Sequence, residues 1–394
     1  MKKIICVILF VLLFLMSSCQ PAQTAQTGPV TVDPVELADF ADEFFPKQVD
    51  KLDIPGAVFI FVRGNEVIYA KGYGYANLEQ KTPMDAANTV VRIGSISKSF
   101  VATAVMQLVE QGKLDLHTDV NQYLTAFQLE ENYPEPVTLA HLLTHTAGFE
   151  DPPYVTSADP ATIRPLREYL TANMPPRTHA PGEVYIYCSH GYDLAALIVE
   201  EVSGIPFVEY MELHIFKPLG MEHTQYLLAP PMPENLATGY FYEKGGFRRK
   251  GVQVPQPMDY DNSYPSGSMI STASDMAHFL TTQLQNGCYN GACILRPETI
   301  SQMHEAQITT SREGQIATFG FVEWSLDGQR SLNHSGAIKG FGSILEFFPD
   351  QGFGYFISFN EECWQTSACT IIQEFREQFA ERFFRLNALT DEKE

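Results

Sequence analysis

The sequence predicts an α/β protein of the α+β type, with one antiparallel sheet built from both ends of the chain and flanked by helices. Two hairpin signals carry this prediction, one at residues 63–66 (Arg-Gly-Asn-Glu) and the other at residues 349–352 (Pro-Asp-Gln-Gly). The chain between them contains Leu- and Val-rich segments of helical character, among them residues 192–202. We therefore expect a mainly helical lobe inserted between the two parts of the sheet.

Strands are expected on both sides of each hairpin, followed by a helix that covers them. The first pair spans residues 56–62 and 67–75, and the second pair spans residues 343–348 and 354–360. Beyond the second pair, four apolar residues recur at helical spacing: Ile372, Phe375, Phe379 and Phe383. This stripe predicts a C-terminal helix that packs on the sheet, and a membrane or partner surface is the alternative interpretation.

Residues 37–390 are predicted to form one globular body with two lobes. The chain is long for one simple core, but no linker interrupts this region, and 45% of all residues are hydrophobic. We assign about 37–110 and 305–390 to the sheet lobe and about 111–304 to the helical lobe. The formal net charge of −21 argues against nucleic acid or an anionic membrane face as a partner.

Residues 1–18 are interpreted as an export signal. Two lysines precede an apolar stretch at 4–16, which is too short to span a membrane as a mature helix. The sequence Met-Ser-Ser-Cys, which ends at Cys19, resembles a bacterial lipoprotein processing site, and an ordinary secretory signal cut nearby is the alternative. We predict lipidation of Cys19, a flexible tether at residues 19–36, and a location in the bacterial cell envelope, facing the periplasm or the cell surface.

Cysteine spacing predicts two local disulfides in this exported chain. Once the leader is removed and Cys19 is lipidated, five cysteines remain: Cys188, Cys288, Cys293, Cys363 and Cys369. Cys288 and Cys293 flank Tyr-Asn-Gly-Ala, a turn signal that brings them together. Cys363 and Cys369 lie on either side of a short loop. Because an exported chain lies in an oxidising compartment, we expect both pairs to be bridged and Cys188 to stay unpaired.

The motif Ser-Ile-Ser-Lys at residues 95–98 is a candidate nucleophile with its base. A serine hydroxyl needs a neighbouring base to remove its proton, and a desolvated, neutral lysine can serve. On a helix, Ser95 and Lys98 would share one face, and the apolar run at 100–109 predicts a buried helix entered at Ser95. Taken alone, the motif is more often a helix N-cap followed by a solvated lysine.

Other motifs accompany this one in a recognisable order. Tyr-Cys-Ser stands at 187–189 and His-Ser-Gly at 334–336, while residues 141–148 read His-Leu-Leu-Thr-His-Thr-Ala-Gly. Penicillin-recognising serine enzymes carry their three active-site elements in the same order. The chain therefore resembles the class C-like branch of the serine β-lactamase and penicillin-binding protein family, which includes β-lactamases, D-alanyl-D-alanine carboxypeptidases, D-amino-acid peptidases and esterases.

The resemblance covers about residues 40–379 and implies a β-lactamase/transpeptidase-like fold with acyl-serine chemistry, without a metal or other cofactor. It implies that Ser95 is the nucleophile and Lys98 its base. Tyr187 would be a second base, held as a phenolate or hydrogen-bonded to Lys98. We therefore expect a small-molecule or peptide substrate, and a membrane contact through the N-terminal lipid.

The resemblance also places five residues at the substrate: Ser189, His334, Ser335, Gly336 and Ala337. His334 replaces the lysine of a Lys-Thr-Gly element and would orient Tyr187 or a substrate carboxylate. The backbone N–H groups of Ser95 and Ala337 would form the oxyanion hole. Gly336 would let the substrate lie close against an edge strand.

Two departures from the family pattern bear on the substrate. Ser189 stands where the tyrosine element usually ends in asparagine, and His334 lacks a permanent positive charge. Both favour an esterase or D-amino-acid peptidase; β-lactamase or D-alanyl-D-alanine carboxypeptidase is the alternative. An alternative that is not an enzyme is a penicillin-binding sensor, which is acylated once and does not turn over.

Two other chemistries are disfavoured by the sequence. No Gly-x-Ser-x-Gly occurs, so the nucleophile elbow of an α/β-hydrolase is not expected. His141 and His145 stand four residues apart, but no glutamate follows His141 as a zinc protease motif requires. We therefore expect a structural role for both histidines.

Overall fold

The computed structural model describes residues 30–153, 155–226, 228–245, 251–310, 312, 314–363 and 368–385. The predicted export signal and Cys19 lie outside these residues. The helices are α1 (Pro34–Leu52), α2 (Ser97–Glu110), α3 (Leu139–Leu143), α4 (Leu166–Asn173), α5 (Ser189–Ser203), α6 (Phe207–Met211), α7 (Ala273–Leu284), α8 (Pro297–His304) and α9 (Ala368–Ala380). Shorter 3-10 turns lie at Gly94–Ile96, Val120–Gln122 and Pro160–Thr162, and π-helical turns at Glu212–Phe216 and Glu381–Arg385.

The described strands belong to one large sheet and several small ones. They are β1 (Gly56–Arg63), β2 (Glu66–Asn77), β3 (Thr82–Pro83), β4 (Val91–Arg92), β5 (Thr156–Ser157), β6 (Gln225–Tyr226), β7 (Tyr240–Glu243), β8 (Val252–Pro255), β9 (Tyr260–Asp261), β10 (Met269–Ser271), β11 (Cys288–Tyr289), β12 (Ala292–Cys293), β13 (Ile308–Thr309), β14 (Ile316–Ala317), β15 (Val322–Leu326), β16 (Gln329–Ile338), β17 (Phe341–Phe348) and β18 (Phe353–Phe359). The large sheet has the order β13-β14-β15-β16-β17-β18-β1-β2-β3.

Both ends of the chain build this large sheet. Every neighbouring pair in it is antiparallel, and β1 pairs with β18 in a register that opposes Ala57 to Phe359. The two predicted hairpins are β1-β2 and β17-β18. The predicted antiparallel sheet from both termini, flanked by helices, is therefore confirmed.

The sheet is covered on both faces. Along β1, Val58, Ile60 and Val62 pack into the core shared with α2, α5 and α7. The alternate residues, Ala57, Phe59 and Phe61, pack against α1 and α9 on the other face. The sequence of β1 is a continuous apolar run because both faces of the strand are buried.

The C-terminal apolar stripe packs on the sheet. Ile372, Phe375, Phe379 and Phe383 are all buried, and the ring of Phe375 lies 5.3 Å from that of Phe59 on β1. Across the ranges that the structure describes, no helix has both the length and the apolar character needed to cross a membrane.

The first helix begins inside the stretch predicted as a tether. Asp33 caps α1 by accepting hydrogen bonds from the N–H groups of Val35 and Glu36, at 2.9 and 3.0 Å, and Pro34 occupies the first helical position. Val32 is already buried. The packed body therefore starts before residue 37, because a cap and a proline define the helix start there.

Two disulfides link cysteines that are close in the sequence. One joins Cys288 to Cys293 across the β11-β12 hairpin, and the other joins Cys363 to Cys369 at the start of α9. Cys188 is the free cysteine of the described residues, and it is buried.

Candidate active site

Ser95 lies in the Gly94–Ile96 turn that leads into α2. Gly94 adopts φ +55°, and a Cβ added to it would lie 2.8 Å from the backbone nitrogen of Ala337 on β16. The Ser97 hydroxyl donates to the Gly94 carbonyl at 2.7 Å. The helix expected to begin at Ser95 therefore begins at Ser97, because the left-handed glycine forces a tight 3-10 turn first.

Lys98 is completely buried beneath this turn. Its Nζ donates to the Oγ of Ser95 at 3.1 Å and to the carbonyl oxygen of Ser266 at 3.0 Å. The predicted i, i+3 spacing thus brings the amine and the hydroxyl together. Ser95 itself is partly exposed, so its Oγ is accessible to a ligand while its base is shielded from water.

Tyr187 completes the contacts around Ser95. Its chain segment is held by a hydrogen bond from the N–H of Ile186 to the carbonyl of His145, at 2.8 Å. The Nζ of Lys98 lies 4.9 Å from the centre of the Tyr187 ring, and the hydroxyl of Tyr187 is hydrogen-bonded to Ser95. Three groups that can exchange protons therefore meet in one small volume.

The electrostatics of the site favour a neutral Tyr187. Burial raises the pKa of the phenol most, the carboxylates of Asp151 and Asp193 raise it further, and the hydrogen bond with Ser95 opposes them. The phenol is therefore protonated at neutral pH. Tyr187 is expected either as a phenolate or hydrogen-bonded to Lys98. The raised pKa disfavours the phenolate, and the hydrogen bond of the hydroxyl is with Ser95.

His334 is uncharged at neutral pH. It lies on β16, and burial together with the Lys98 ammonium lowers its pKa to about 4. Its Nδ1 donates to the carbonyl of Ser335 at 2.8 Å, which leaves Nε2 as an acceptor. Pairing of β16 with β15 ends at Asn333, whereas pairing with β17 continues to Ile338, so the His-Ser-Gly segment runs along a locally free edge.

Gly336 also packs against the turn that carries Ser95. A Cβ at this position would lie 1.9 Å from the carbonyl oxygen of Ile93 and 2.6 Å from the Oγ of Ser343. The glycine therefore lets this turn approach β16, and its expected role in making room for a substrate stays a prediction. This close approach also brings the backbone nitrogen of Ala337 next to Gly94, the residue before Ser95.

The remaining predicted substrate contacts differ in exposure. Ser335 is exposed on β16, whereas Ser189 is buried at the first position of α5, and its N–H donates to Asp151 at 2.9 Å. Cys188 is extended, with its thiol donating to the carbonyl of Glu150 at 3.3 Å. Ser189 is therefore covered by the surrounding chain, whereas Ser335 is open to solvent.

His141 and His145 both accept backbone hydrogen bonds. His141 Nδ1 accepts from the N–H of Thr138 at 3.2 Å in a capping box at the start of α3. His145 Nδ1 accepts from the N–H of Cys188 at 3.0 Å, and burial holds its pKa well below the usual range. In the part of the chain that the structure describes, no three His, Cys, Asp or Glu side chains are grouped to hold a metal ion.

Asp193 is a site residue that sequence reasoning missed. Its carboxylate is fully buried on α5, accepts hydrogen bonds from Ser263 and from the N–H of Ser266, and lies within electrostatic reach of Lys98. The available signal was a single acidic residue within the apolar run of α5.

The chain is similar to several known proteins. The family described as beta-lactamase matches residues 41–371. Protein flp of Staphylococcus aureus (strain N315) is 27% identical over 323 residues, which cover 81% of this chain and 62% of that protein. The putative penicillin-binding protein PbpX of Bacillus subtilis (strain 168) is 30% identical over 296 residues, or 74% of this chain and 67% of that protein. The chain therefore spans about 62% of the length of the first of these relatives.

Solved structures share the fold. An octameric penicillin-binding protein homologue from Pyrococcus abyssi is 28% identical, with a TM-score of 0.72, covering 82% of this chain and 73% of that one. EstCE1, a hydrolase with promiscuous acyltransferase activity, is 23% identical with a TM-score of 0.72, covering 87% and 98%. The D-amino acid amidase from Ochrobactrum anthropi SV3 is 21% identical with a TM-score of 0.73, covering 88% and 98%.

Proposed function

Because the chain belongs to the beta-lactamase family, we propose that it is a serine hydrolase that works through an acyl-serine intermediate. The observation that carries this proposal is the contact of 3.1 Å between the buried Nζ of Lys98 and the partly exposed Oγ of Ser95. A base at hydrogen-bond distance from an accessible hydroxyl is the arrangement that nucleophilic catalysis needs.

Acylation begins once Lys98 has released its own proton, so that its amine can take the hydroxyl proton of Ser95. The Oγ then bonds to the substrate carbonyl carbon, and the carbonyl electron pair moves to its oxygen, which the N–H groups of Ser95 and Ala337 stabilise. When the tetrahedral intermediate collapses, the bond to the leaving group breaks. Tyr187, a phenol beside Ser95, donates its proton to the leaving group.

Deacylation reverses these roles. The Tyr187 phenolate formed in the first half is stabilised by the Lys98 ammonium, whose Nζ lies 4.9 Å from the phenol ring centre. The phenolate takes a proton from water, and the resulting hydroxide attacks the acyl carbon. Ser95 leaves and recovers its proton from Lys98, which restores both residues.

The proposed substrates are esters or D-amino-acid peptides. The low pKa of His334 supports this choice, because an uncharged imidazole offers no cation to the carboxylate of a β-lactam. Ser189 is buried and shorter than the asparagine usual in relatives, so it cannot reach the amide of a penicillin side chain. β-Lactam or D-alanyl-D-alanine hydrolysis is the second candidate.

We also propose that the mature protein is exported and held at the cell envelope by a lipid on Cys19.

The test combines turnover with intact-mass analysis. The purified protein is mixed with a p-nitrophenyl ester of a short acyl group and, separately, with a chromogenic cephalosporin. We expect repeated release of p-nitrophenol, no turnover or labelling in Ser95→Ala, and a loss on the order of 10³-fold or more in Lys98→Ala. Ser203→Ala, at the far end of α5, is the matched control and should behave as wild type.

Two outcomes would contradict the proposal. Hydrolysis by Ser95→Ala at the wild-type rate would exclude Ser95 as the nucleophile. A stable adduct on Ser95 with either reagent, without product release, would identify a penicillin-binding sensor instead of an enzyme.

A further inference from the structure

A buried carboxylate lies behind the lysine of the active site. Asp193 has no exposed surface, and it stands on α5 one turn after Ser189. The residues that follow it on α5, from Leu194 to Val199, are apolar and buried. An acidic side chain in such a place is costly unless specific partners hold it, so its partners indicate what it does.

The partners of Asp193 lead directly to Lys98. One carboxylate oxygen accepts the N–H of Ser266 at 3.1 Å, and the other accepts the hydroxyl of Ser263. The carbonyl of Ser266 accepts the Nζ of Lys98 at 3.0 Å. The hydroxyl of Ser266 also donates to the carbonyl of Ser263 at 3.2 Å, which closes the turn. Asp193 therefore fixes the backbone that in turn positions the amine of Lys98.

We propose that Asp193 is a positioning residue that holds Lys98 against Ser95 through Ser266 and supplies the negative charge that balances the Lys98 ammonium formed during acylation. This inference rests on the proposed function, since it concerns the same proton transfer. The proton moves from the Ser95 hydroxyl to the Lys98 amine. Asp193 forms no covalent bond and exchanges no proton with substrate; its charge stabilises the new ammonium.

The electrostatics of Asp193 agree with this role. Burial raises its pKa to about 7, while the hydrogen bond from Ser263 and the charge of Lys98 oppose the shift. Titratable groups on every neighbouring element interact with it: Lys98, Tyr169, Tyr187, Cys188, Tyr226, Asp261 and Tyr264. Among them Lys98 is the group that becomes a cation when it takes a proton, and it is joined to Asp193 through the backbone of Ser266.

The decisive variant is Asp193→Asn. Its amide oxygen can still accept the N–H of Ser266, and its NH₂ group can donate to Ser263, so the hydrogen bonds remain and only the charge is lost. In the wild type, kcat/KM for the aryl ester should rise as the pH passes through about 7, when Asp193 ionises. In the variant this rise should disappear, with a loss of about 10-fold or more at pH 8, because each pKa unit of lost charge stabilisation corresponds to about a tenfold change in rate.

Asp275→Asn is the matched control. Asp275 is also buried and accepts hydrogen bonds from the N–H of His223 and the hydroxyl of Thr224, both at 2.8 Å, at the start of α7. This variant should keep the wild-type profile. If Asp193→Asn does not fold, the pair Asp193→Glu and Asp193→Gln tests the same charge, and only the Glu variant should retain the rise with pH.

The possible failures are separable. A wild-type protein that hydrolyses the ester without a rise near pH 7, or an Asp193→Asn variant with the wild-type rate and profile, would overturn the role of Asp193 alone. Hydrolysis that survives in Ser95→Ala would overturn the proposed function itself.

Discussion

The imidazole of His145 packs on the phenol ring of Tyr187, with ring centres 4.3 Å apart and planes inclined by 30°. His145 also accepts the N–H of Cys188, the residue after Tyr187, at 3.0 Å. It holds this position with φ +58°, a left-handed conformation that few residues other than glycine adopt. His145 therefore supports both the side-chain ring of Tyr187 and the backbone of the residue that follows it.

We predict that His145→Ala lowers both stability and activity. The substitution leaves a buried N–H without its acceptor, which typically costs ~1–3 kcal/mol, and frees the Tyr187 ring to move. A similar loss of transition-state stabilisation would reduce kcat/KM by about one to two decades. His145→Asn tolerates the backbone conformation and keeps an acceptor, so it should retain more stability. Urea unfolding and ester kinetics check this, and wild-type values for His145→Ala would contradict it.

We predict that short acyl esters are hydrolysed faster than penicillins or cephalosporins, and that Ser189→Asn narrows the gap. A hydroxyl cannot span to the side-chain amide of a bound penicillin, and an unmet hydrogen bond costs ~1–3 kcal/mol, or about one to two decades of rate. The measurement is the ratio of kcat/KM for an aryl ester to that for a chromogenic cephalosporin. Ser189→Ala is the control. A wild-type ratio well below one would favour β-lactamase.

We predict a single titratable thiol in the unreduced protein once Cys6 is removed with the leader and Cys19 is lipidated or replaced. Cys188 is 3% exposed, and burial raises its thiol pKa to about 12, so it should react only after unfolding. The other described cysteines are paired. Thiol counting with and without denaturant tests this, and three or more reactive thiols would show that the disulfides are absent in solution.

We predict that the wild-type protein becomes less stable relative to Asp193→Asn as the pH rises from 4 to 7. Native Asp193 keeps its proton up to about pH 7, whereas an unfolded aspartate releases it near pH 4, so raising the pH favours the unfolded chain. The upper limit of the difference is about 4 kcal/mol. Denaturant unfolding of both proteins across this range measures it; parallel curves would mean that Asp193 ionises normally.

The features that the sequence determined are local. The i, i+3 spacing of Ser95 and Lys98, the hairpin turns and the two short cysteine loops each depend on residues that are close in the chain. Strand and helix geometry then dictates which side chains share a face. The same reasoning extends to the antiparallel sheet, because the β17-β18 and β1-β2 hairpins each have a strand edge whose backbone groups can be satisfied by pairing edge to edge, as β18 and β1 do.

The features that only the tertiary structure decided depend on contacts between distant segments. The turn before Ser95 lies so close to β16 that a Cβ on Gly336 would lie 1.9 Å from the carbonyl oxygen of Ile93. The sequence pattern gave no indication of this contact, because a glycine in a sequence does not reveal which segment packs against it. The proton states of His334, Tyr187 and Asp193 also follow from burial and from charges brought together by folding. Burial in a low-dielectric interior acts on each ionisable group through all of its neighbours, so no local sequence pattern contains that information.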